Sequence, residues 1–162
     1  MNMKNQDFTT LLSQGTRMLH QGQSNEAIPL LQKAHELNPD HVVAAINLSG
    51  AYILTKRFKK AAAILEPLSI QNPDHTMIWI NLGAAYLGNP VLAQGEDQQR
   101  AISAFEHALQ IDPLANSVAY NIGLIYRDRD DSDNAIYWFH QALKHNPQDR
   151  DARKLLEGLE SE

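Results

Sequence analysis

The chain has 162 residues, of which 43% are apolar and 20% are charged, and it contains no cysteine. This is the composition of an ordinary globular protein, and it excludes a disordered chain, a disulfide framework, a thiolate nucleophile and a cysteine-based zinc site. The formal net charge of −5 argues against nucleic-acid binding as the main task, because affinity for a phosphate backbone depends on lysine and arginine.

The first residues of the chain, Met1 to Asp7, lack the apolar core of a signal peptide. No apolar run reaches the roughly 18 residues that a transmembrane helix needs. We therefore expect no direct insertion into a membrane, and the lack of cysteine suits a cytoplasmic location.

Prolines recur along the chain at a fixed interval. Pro39 and Pro73 are 34 residues apart, as are Pro113 and Pro147, while the interval between Pro73 and Pro113 is 40. Each proline follows an alanine by 12 residues, a large apolar residue by 8 and a small or apolar residue by 5. A fixed period of this length predicts a stack of similar helical units.

Alignment on the prolines divides the chain into units at residues 8–41, 42–75, 76–115 and 116–149. In each unit, a first predicted helix carries a stripe at steps of three, one and three residues, which lies on one helix face. The stripes, in chain order, are Leu11, Gln14, Gly15, Met18; Ala45, Leu48, Ser49, Tyr52; Trp79, Leu82, Gly83, Tyr86; and Ala119, Ile122, Gly123, Tyr126. A polar turn and a second amphipathic helix follow in every unit.

Small residues at fixed places predict close packing of the two helices in a unit. Gly15, Gly83 and Gly123 supply such places on the first helix, and an alanine supplies one on each second helix. Each unit closes on a proline after Asn or Asp, which should end the second helix. The Asp40 and Asp74 that follow two of these prolines can cap the next helix.

The sequence after the last unit predicts one more helix, over 150–160. Ala152, Leu155, Leu156 and Leu159 lie on one face of this otherwise charged segment. A stack of units leaves an apolar face uncovered at its end, and we interpret the segment as the helix that caps it.

The pattern Trp79-x2-Leu82-Gly83-x2-Tyr86, followed by Ala101-x3-Phe105-x2-Ala108-x4-Pro113, resembles the tetratricopeptide repeat (TPR). The resemblance covers residues 8–149, although units 1 and 2 lack the first large aromatic residue and unit 1 has Gln14 at a place that is usually apolar. It implies an all-α fold: a right-handed α-solenoid of antiparallel helix pairs that forms a single domain over 1–162. It also implies a non-catalytic scaffold that binds protein.

Unit 3 is longer than the other units by six residues, which lie within 88–97. Gly88-Asn89-Pro90 should end the first helix of this unit. The plain interpretation is a longer loop between the two helices, with Val91 and Leu92 tucked against the adjacent turn. The alternative is a contact loop for a partner.

Residues on the face of each first helix opposite its packing stripe are expected to line a concave groove, as in stacked TPR units. The candidate groove residues are Asn47, Asn81, Asn121, Val43, Met77, Ile80, Tyr120 and Leu124. The three asparagines recur at one place in successive units, and their amides can both donate to and accept from the main chain of an extended peptide. Ile80 and Tyr120 have the alternative of packing against neighbouring helices.

Charge is uneven along the edge formed by the turns between paired helices. Lys56-Arg57-Phe58-Lys59-Lys60 is basic, and Asp128, Asp130, Asp131 and Asp133 are acidic. By default we interpret these charges as belonging to two turns that are simply exposed to solvent. The alternative is that the difference in charge along the edge orients a partner protein. The groove lacks the lysines and arginines with which TPR proteins hold acidic chaperone tails, so that class of partner is disfavoured.

The sequence predicts no catalytic residues, no cofactor and no metal site. Asp128-x-Asp130-x-Ser132 resembles the start of a calcium loop, but Asp133 and Phe139 stand where that loop needs Gly and Glu. The leading hypothesis is a scaffold for a peptide or protein segment held in the concave groove. The alternative is self-association through the apolar groove or the insertion, and an enzyme has the least support.

Overall fold

The computed structural model describes residues 3–89, 93, 95–115 and 117–161, with side chains from Asp7 onward. Over these residues the chain forms helices and no strands. The helices are α1 (Met3–His20), α2 (Ser24–Leu37), α3 (Val42–Leu54), α4 (Phe58–Gln71), α5 (Thr76–Leu87), α6 (Gly95–Ile111), α7 (Val118–Arg127), α8 (Ser132–His145) and α9 (Arg150–Glu160). None of them is long and apolar enough to cross a membrane.

Each helix packs against the next one in the chain, and α1 also packs on α3 and α3 on α5. The helices therefore form antiparallel pairs, α1–α2, α3–α4, α5–α6 and α7–α8, stacked into an α-solenoid. The core follows the stack: one apolar cluster spans α2 to α6, a second joins α6 to α7, and a third joins α7, α8 and α9. The predicted all-α solenoid is confirmed.

The glycines on the first helices allow close packing within each pair, as predicted. A Cβ on Gly83 would lie 2.6 Å from the ring of Phe105, and one on Gly123 would lie 2.8 Å from Phe139. In the first pair, the side chain of Leu31 lies 2.7 Å from the place of a Cβ on Gly15. The alanines facing these helices, Ala27, Ala61, Ala101 and Ala135, are fully buried.

Three of the turns inside the pairs share one backbone feature. Gly22, Lys56 and Asp130 occupy the same place in their units and have φ of 77°, 60° and 57°. This left-handed conformation reverses the chain within a few residues. Two of the three positions hold residues with a side chain, for which it is unfavourable.

The helices end where the prolines require, since α2, α4 and α8 stop two residues before Pro39, Pro73 and Pro147. The prediction that Asp40 and Asp74 cap the following helices is wrong. The N-cap of α3 is His41, whose Nδ1 accepts a 3.3 Å hydrogen bond from the Ala44 N–H.

At α5 the N-cap is His75, which makes no capping bond with its side chain. The turn after each proline is one residue longer than the capping prediction assumed, so the aspartate lies outside the cap position.

The inserted residues of unit 3 are shared between a loop and a helix. α5 ends at Leu87, with Gly88 at φ 58°, as predicted. α6 begins at Gly95, six residues before Ala101, whereas α2, α4 and α8 begin three residues before the equivalent alanine. The expected loop is therefore wrong for 95–97, which extend α6. Val91 and Leu92 lie outside the described residues.

Arg129, in the turn between α7 and α8, holds this extension of α6. Its guanidinium donates to Gln98 Oε1 at 2.8 Å, to Gln99 Oε1 at 3.3 Å and to the Gly95 carbonyl at 3.0 Å. Gln98 is buried as a result. The extended end of α6 is thus fastened to the next helix pair.

Candidate functional site

The candidate groove is the face of α1, α3, α5 and α7 that carries the asparagine row. Asn47 Nδ2 on α3 donates a 2.8 Å hydrogen bond to Thr16 Oγ1 on α1. Asn81 on α5 points back in the same way, because its Nδ2 lies 4.0 Å from the place of a Cβ on Gly50 of α3. Thr16 and Gly50 hold the same place in their units, so each amide faces the preceding first helix.

The asparagines of the row differ in their partners. The amide of Asn47 is engaged by Thr16 within the protein. Asn81 and Asn121 are both half-buried, and among the described residues their side chains make no hydrogen bond. The difference arises because the facing residue is a threonine for Asn47 and a glycine for Asn81. The row therefore has one structural member and two with free bonding capacity.

The apolar candidates divide in a similar way. Val43 is 51% exposed and Met77 45% exposed, and Leu54, at the end of α3, is 66% exposed. Ile80 instead packs partly against the core cluster of α6 and α7, and Leu124 packs against that of α7 to α9. The exposed apolar surface of the groove is thus concentrated on α3 and the start of α5.

Tyr120 lies between core and groove. Its ring centroid is 5.8 Å from that of Phe139, and the side chain is half-buried. Burial raises the pKa of its hydroxyl above the usual range, and the nearby Asp151 and Asp149 raise it further. The hydroxyl therefore stays protonated near neutral pH and can act as a hydrogen-bond donor.

Side chains of α1 line a recess at one end of the groove. This recess, of about 590 Å³, is lined by Thr9, Leu12, Ser13, Thr16, Arg17, His20 and Gln21. Arg17 makes no ion pair within the described part of the chain. The surface of this recess is mostly apolar, as is the middle of the groove, where Val43 and Met77 lie.

A second recess, which sequence reasoning missed, lies on the other side of the stack between α4 and α6. Its volume is about 540 Å³. Arg100 donates to Glu66 Oε1 at 2.9 Å and stacks over the Tyr86 ring at 3.9 Å. The Tyr86 hydroxyl also donates to Glu66 Oε1, at 3.1 Å. Burial raises the pKa of Tyr86, and the negative charge of Glu66 raises it further. Within this recess, Glu66 accepts from both Tyr86 and Arg100.

The sequence signal for that recess was the tyrosine that ends the stripe in units 2, 3 and 4. Tyr52 Oη donates to Gln32 Oε1 at 3.4 Å, across the same spacing of 20 residues that separates Tyr86 from Glu66. Trp79 closes the far side of the recess: its Nε1 donates to the Pro73 carbonyl at 2.7 Å. These contacts connect successive units.

Two aspartates of the acidic turn between α7 and α8 are engaged within the protein. Asp131 caps α8 by accepting from the Asn134 N–H at 3.2 Å, and Asp128 is bound by Arg127 at 2.6 Å. In the described ranges no group of three or more histidine or acidic side chains is placed to hold a metal ion. Of the two aspartates in the motif that resembles a calcium loop, Asp128 pairs with Arg127, whereas Asp130 is exposed and takes part in no ion pair among the described residues.

Comparisons with known proteins agree with this architecture. A tetratricopeptide repeat family model matches residues 18–86, and a second tetratricopeptide repeat model matches residues 90–150. Together they span most of the chain. No curated protein sequence matches it.

Several solved structures are similar in fold. MamA (41-end) from Desulfovibrio magneticus RS-1 is 22% identical with a TM-score of 0.75, covering 89% of this chain and 78% of that one. TTC0263, a thermophilic TPR protein of Thermus thermophilus, is 18% identical with a TM-score of 0.66, covering 96% and 100%. The first TPR domain of human RPAP3 is 22% identical with a TM-score of 0.65, covering 79% and 96%. At these identities the likeness is one of fold.

Proposed function

The chain belongs to the tetratricopeptide repeat family, and from this premise we propose that it is a non-catalytic scaffold that holds an extended segment of a partner protein in its concave groove. The observation that carries the proposal is the pair Asn81 and Asn121, whose half-buried amides lack side-chain hydrogen bonds among the described residues. Both amides still reach solvent, since among the described residues the fully buried side-chain polar atom without a partner is His35 Nδ1. A ligand would therefore replace water at these amides and gain about 1 kcal/mol for each hydrogen bond.

An extended main chain is the ligand that fits this arrangement. Every peptide unit offers one N–H and one carbonyl, and an asparagine amide can bind both. Asn81 and Asn121 lie on successive first helices, so a strand of peptide that crosses the helices meets one amide after the other. Such a contact holds the peptide without reading its sequence.

Selectivity for the peptide would come from the exposed apolar side chains. Val43 and Met77 stand at the same place on α3 and α5 and are each about half exposed. Apolar side chains that stay exposed on neighbouring helices commonly mark a partner's binding surface. We expect a preference for peptides with apolar residues near the part that contacts Asn81.

Binding of selected peptides tests the proposal. Linear peptides selected from a random phage library would serve as probes, and their dissociation constants would be measured by fluorescence anisotropy. The Asn81→Ala/Asn121→Ala variant loses two hydrogen bonds to the peptide, each worth about 1 kcal/mol. Its dissociation constant should therefore rise about tenfold or more. Since these amides have no internal partner, the melting temperature should change little.

Two control variants separate binding from stability. Gln99→Ala/Ser103→Ala alters the recess between α4 and α6 and should leave peptide affinity unchanged. Asn47→Ala removes the bond to Thr16 and should lower the free energy of unfolding by about 1 kcal/mol. The groove proposal is wrong if no peptide is selected. It is also wrong if peptide affinity is unchanged in Asn81→Ala/Asn121→Ala but falls in Gln99→Ala/Ser103→Ala.

The alternative, self-association through the groove, is favoured by one observation. Leu54 and Val43 expose 66% and 51% of their surface, and apolar side chains this exposed on one helix favour burial against a partner. In that case a Val43→Asp/Leu54→Asp variant should convert an oligomer into a monomer in light scattering. An unmodified chain that is monomeric at all concentrations would exclude this alternative.

A further inference from the structure

Two turns on the same edge of the solenoid carry opposite charges at equivalent positions. The turn from α3 to α4 presents Lys56, Arg57 and Lys59, and the turn from α7 to α8 presents Asp130, Asp131 and Asp133. Each aspartate is 74 residues after its basic counterpart, which is the register of the repeat across two units. The turn of the first unit holds uncharged residues at the same three places. We call these the basic turn and the acidic turn.

The charges of both turns are largely uncompensated within the chain. Lys56, Arg57 and Lys59 are exposed and take part in no ion pair among the described residues. Asp130 and Asp133 are exposed as well and likewise have no cation within ion-pair distance in that part of the chain. Arg127 and Arg129 lie at the same turn as the aspartates, but Arg127 binds Asp128 and Arg129 binds groups of α6. Asp130 and Asp133 therefore leave this turn acidic, and the two turns form surfaces of complementary charge.

The placement of the two turns on one edge allows two copies to pair with two-fold symmetry. The distance from the basic turn to the acidic turn is the same in every copy of the chain. A second copy turned by 180° about an axis beside the α5–α6 pair therefore brings its acidic turn onto the basic turn, and its basic turn onto the acidic turn. Both contacts form together, and the interface closes as a two-fold dimer.

We propose that this edge is an interface between two copies of the chain, which lie antiparallel and pair through the basic and acidic turns. The proposal goes beyond peptide binding and leaves the concave groove free, because the turns lie at the ends of the helices and the groove lies on their faces. Exposed ion pairs are individually weak and are screened by salt. The dimer is accordingly a salt-sensitive one.

An exchange of charges between the turns tests the proposal. The basic-to-acidic variant is Lys56→Asp/Lys59→Asp, and the acidic-to-basic variant is Asp130→Lys/Asp133→Lys; Asp131 is kept because it caps α8. Each variant alone lacks the charge of one of the two turns and should be monomeric in sedimentation velocity. An equimolar mixture of the two should form a dimer, and so should the chain that carries both exchanges.

The unmodified chain provides the second measurement. At an ionic strength of about 0.05 M it should dimerise, and its dissociation constant should rise at least about tenfold near 0.5 M, where the Debye length is only a few ångströms. Lys33→Glu/Lys154→Glu, an equal change in charge away from the edge, should leave the dimer intact, and circular dichroism checks the fold of every variant. A monomer at low salt, a dimer that survives either turn variant, or a mixture that stays monomeric would each overturn the proposal.

Discussion

At the residue scale, the glycines of the first helices are the places where a single methyl group decides the packing. Gly83→Ala would put a Cβ 2.6 Å from the ring of Phe105, which is itself buried in the core. We expect the free energy of unfolding, measured by urea denaturation, to fall by about 1–3 kcal/mol because the ring must leave its position.

Two further variants identify the cause of that loss. Gly158→Ala on α9 has no neighbouring atom within 4 Å of the new Cβ and should be neutral or stabilising, since alanine favours the helix. Phe105→Leu combined with Gly83→Ala should cost less than the sum of the two single changes, because the smaller side chain makes room. Strict additivity would contradict the proposed clash.

The asparagine row illustrates what can be predicted about single residues. The repeat register identified Asn47, Asn81 and Asn121 as equivalent, and equivalence is a property of the sequence pattern. Their bonding depends on the residue that faces each of them across a helix boundary, which is Thr16 in one case and Gly50 in another. Since that pairing joins two units, it became visible only with the helices in place.

At the element scale, the backbone of the turns inside the helix pairs is strained, and substitution can test this strain. Lys56 has φ 60°, a conformation that costs a residue with a side chain about 1–2 kcal/mol relative to glycine. Lys56→Gly should therefore raise the melting temperature. The partial offset is the larger conformational freedom of glycine in the unfolded chain.

The equivalent turn of the first pair supplies the reverse experiment. Gly22 has φ 77°, and no atom lies within 4 Å of a Cβ built on it. Gly22→Ala should lower the melting temperature through backbone strain alone. If both substitutions shifted the melting temperature in the same direction, the left-handed turns would not be the cause.

The helix ends were predictable where local chemistry sets them and not where contacts between units do. The prolines correctly end α2, α4 and α8, because proline acts on its own backbone. The early start of α6 depends on Arg129, which binds Gly95 and Gln98 from the following pair. The capping of α3 by His41 depends on the length of the turn after Pro39. Neither the start of α6 nor the cap of α3 can be predicted from the residues next to it in the sequence.

At the scale of the whole molecule, the solenoid is held together by contacts between neighbouring helices. α9 packs on α8, where Ala152 and Leu156 join the core cluster that contains Phe139. In such a stack, damage at one end weakens mainly the adjacent unit. Leu156→Asp should therefore reduce the hydrogen-exchange protection of α7 and α8 more than that of α1 and α2.

Leu159→Asp provides the graded comparison, because Leu159 on the same helix is only partly buried. It should produce the same pattern of lost protection at smaller amplitude. A uniform loss of protection from α1 to α8 would mean that the chain unfolds as one cooperative unit.

The proposed groove and the proposed edge interface are two separate surfaces of the molecule. The groove is formed by helix faces and contains the free amides of Asn81 and Asn121. The edge is formed by helix ends and contains the basic and acidic turns. A partner segment in the groove and a second copy at the edge could therefore bind at the same time, and variants of one surface should not affect the other.

Side-chain amide NMR of the chain during titration with a selected peptide is the most direct test of the groove. The Asn81 and Asn121 side-chain NH₂ signals should shift in proportion to the bound fraction, while those of Gln99, in the recess between α4 and α6, stay in place. Unmoved Asn81 and Asn121 signals together with shifted Gln99 signals would contradict binding in the concave groove.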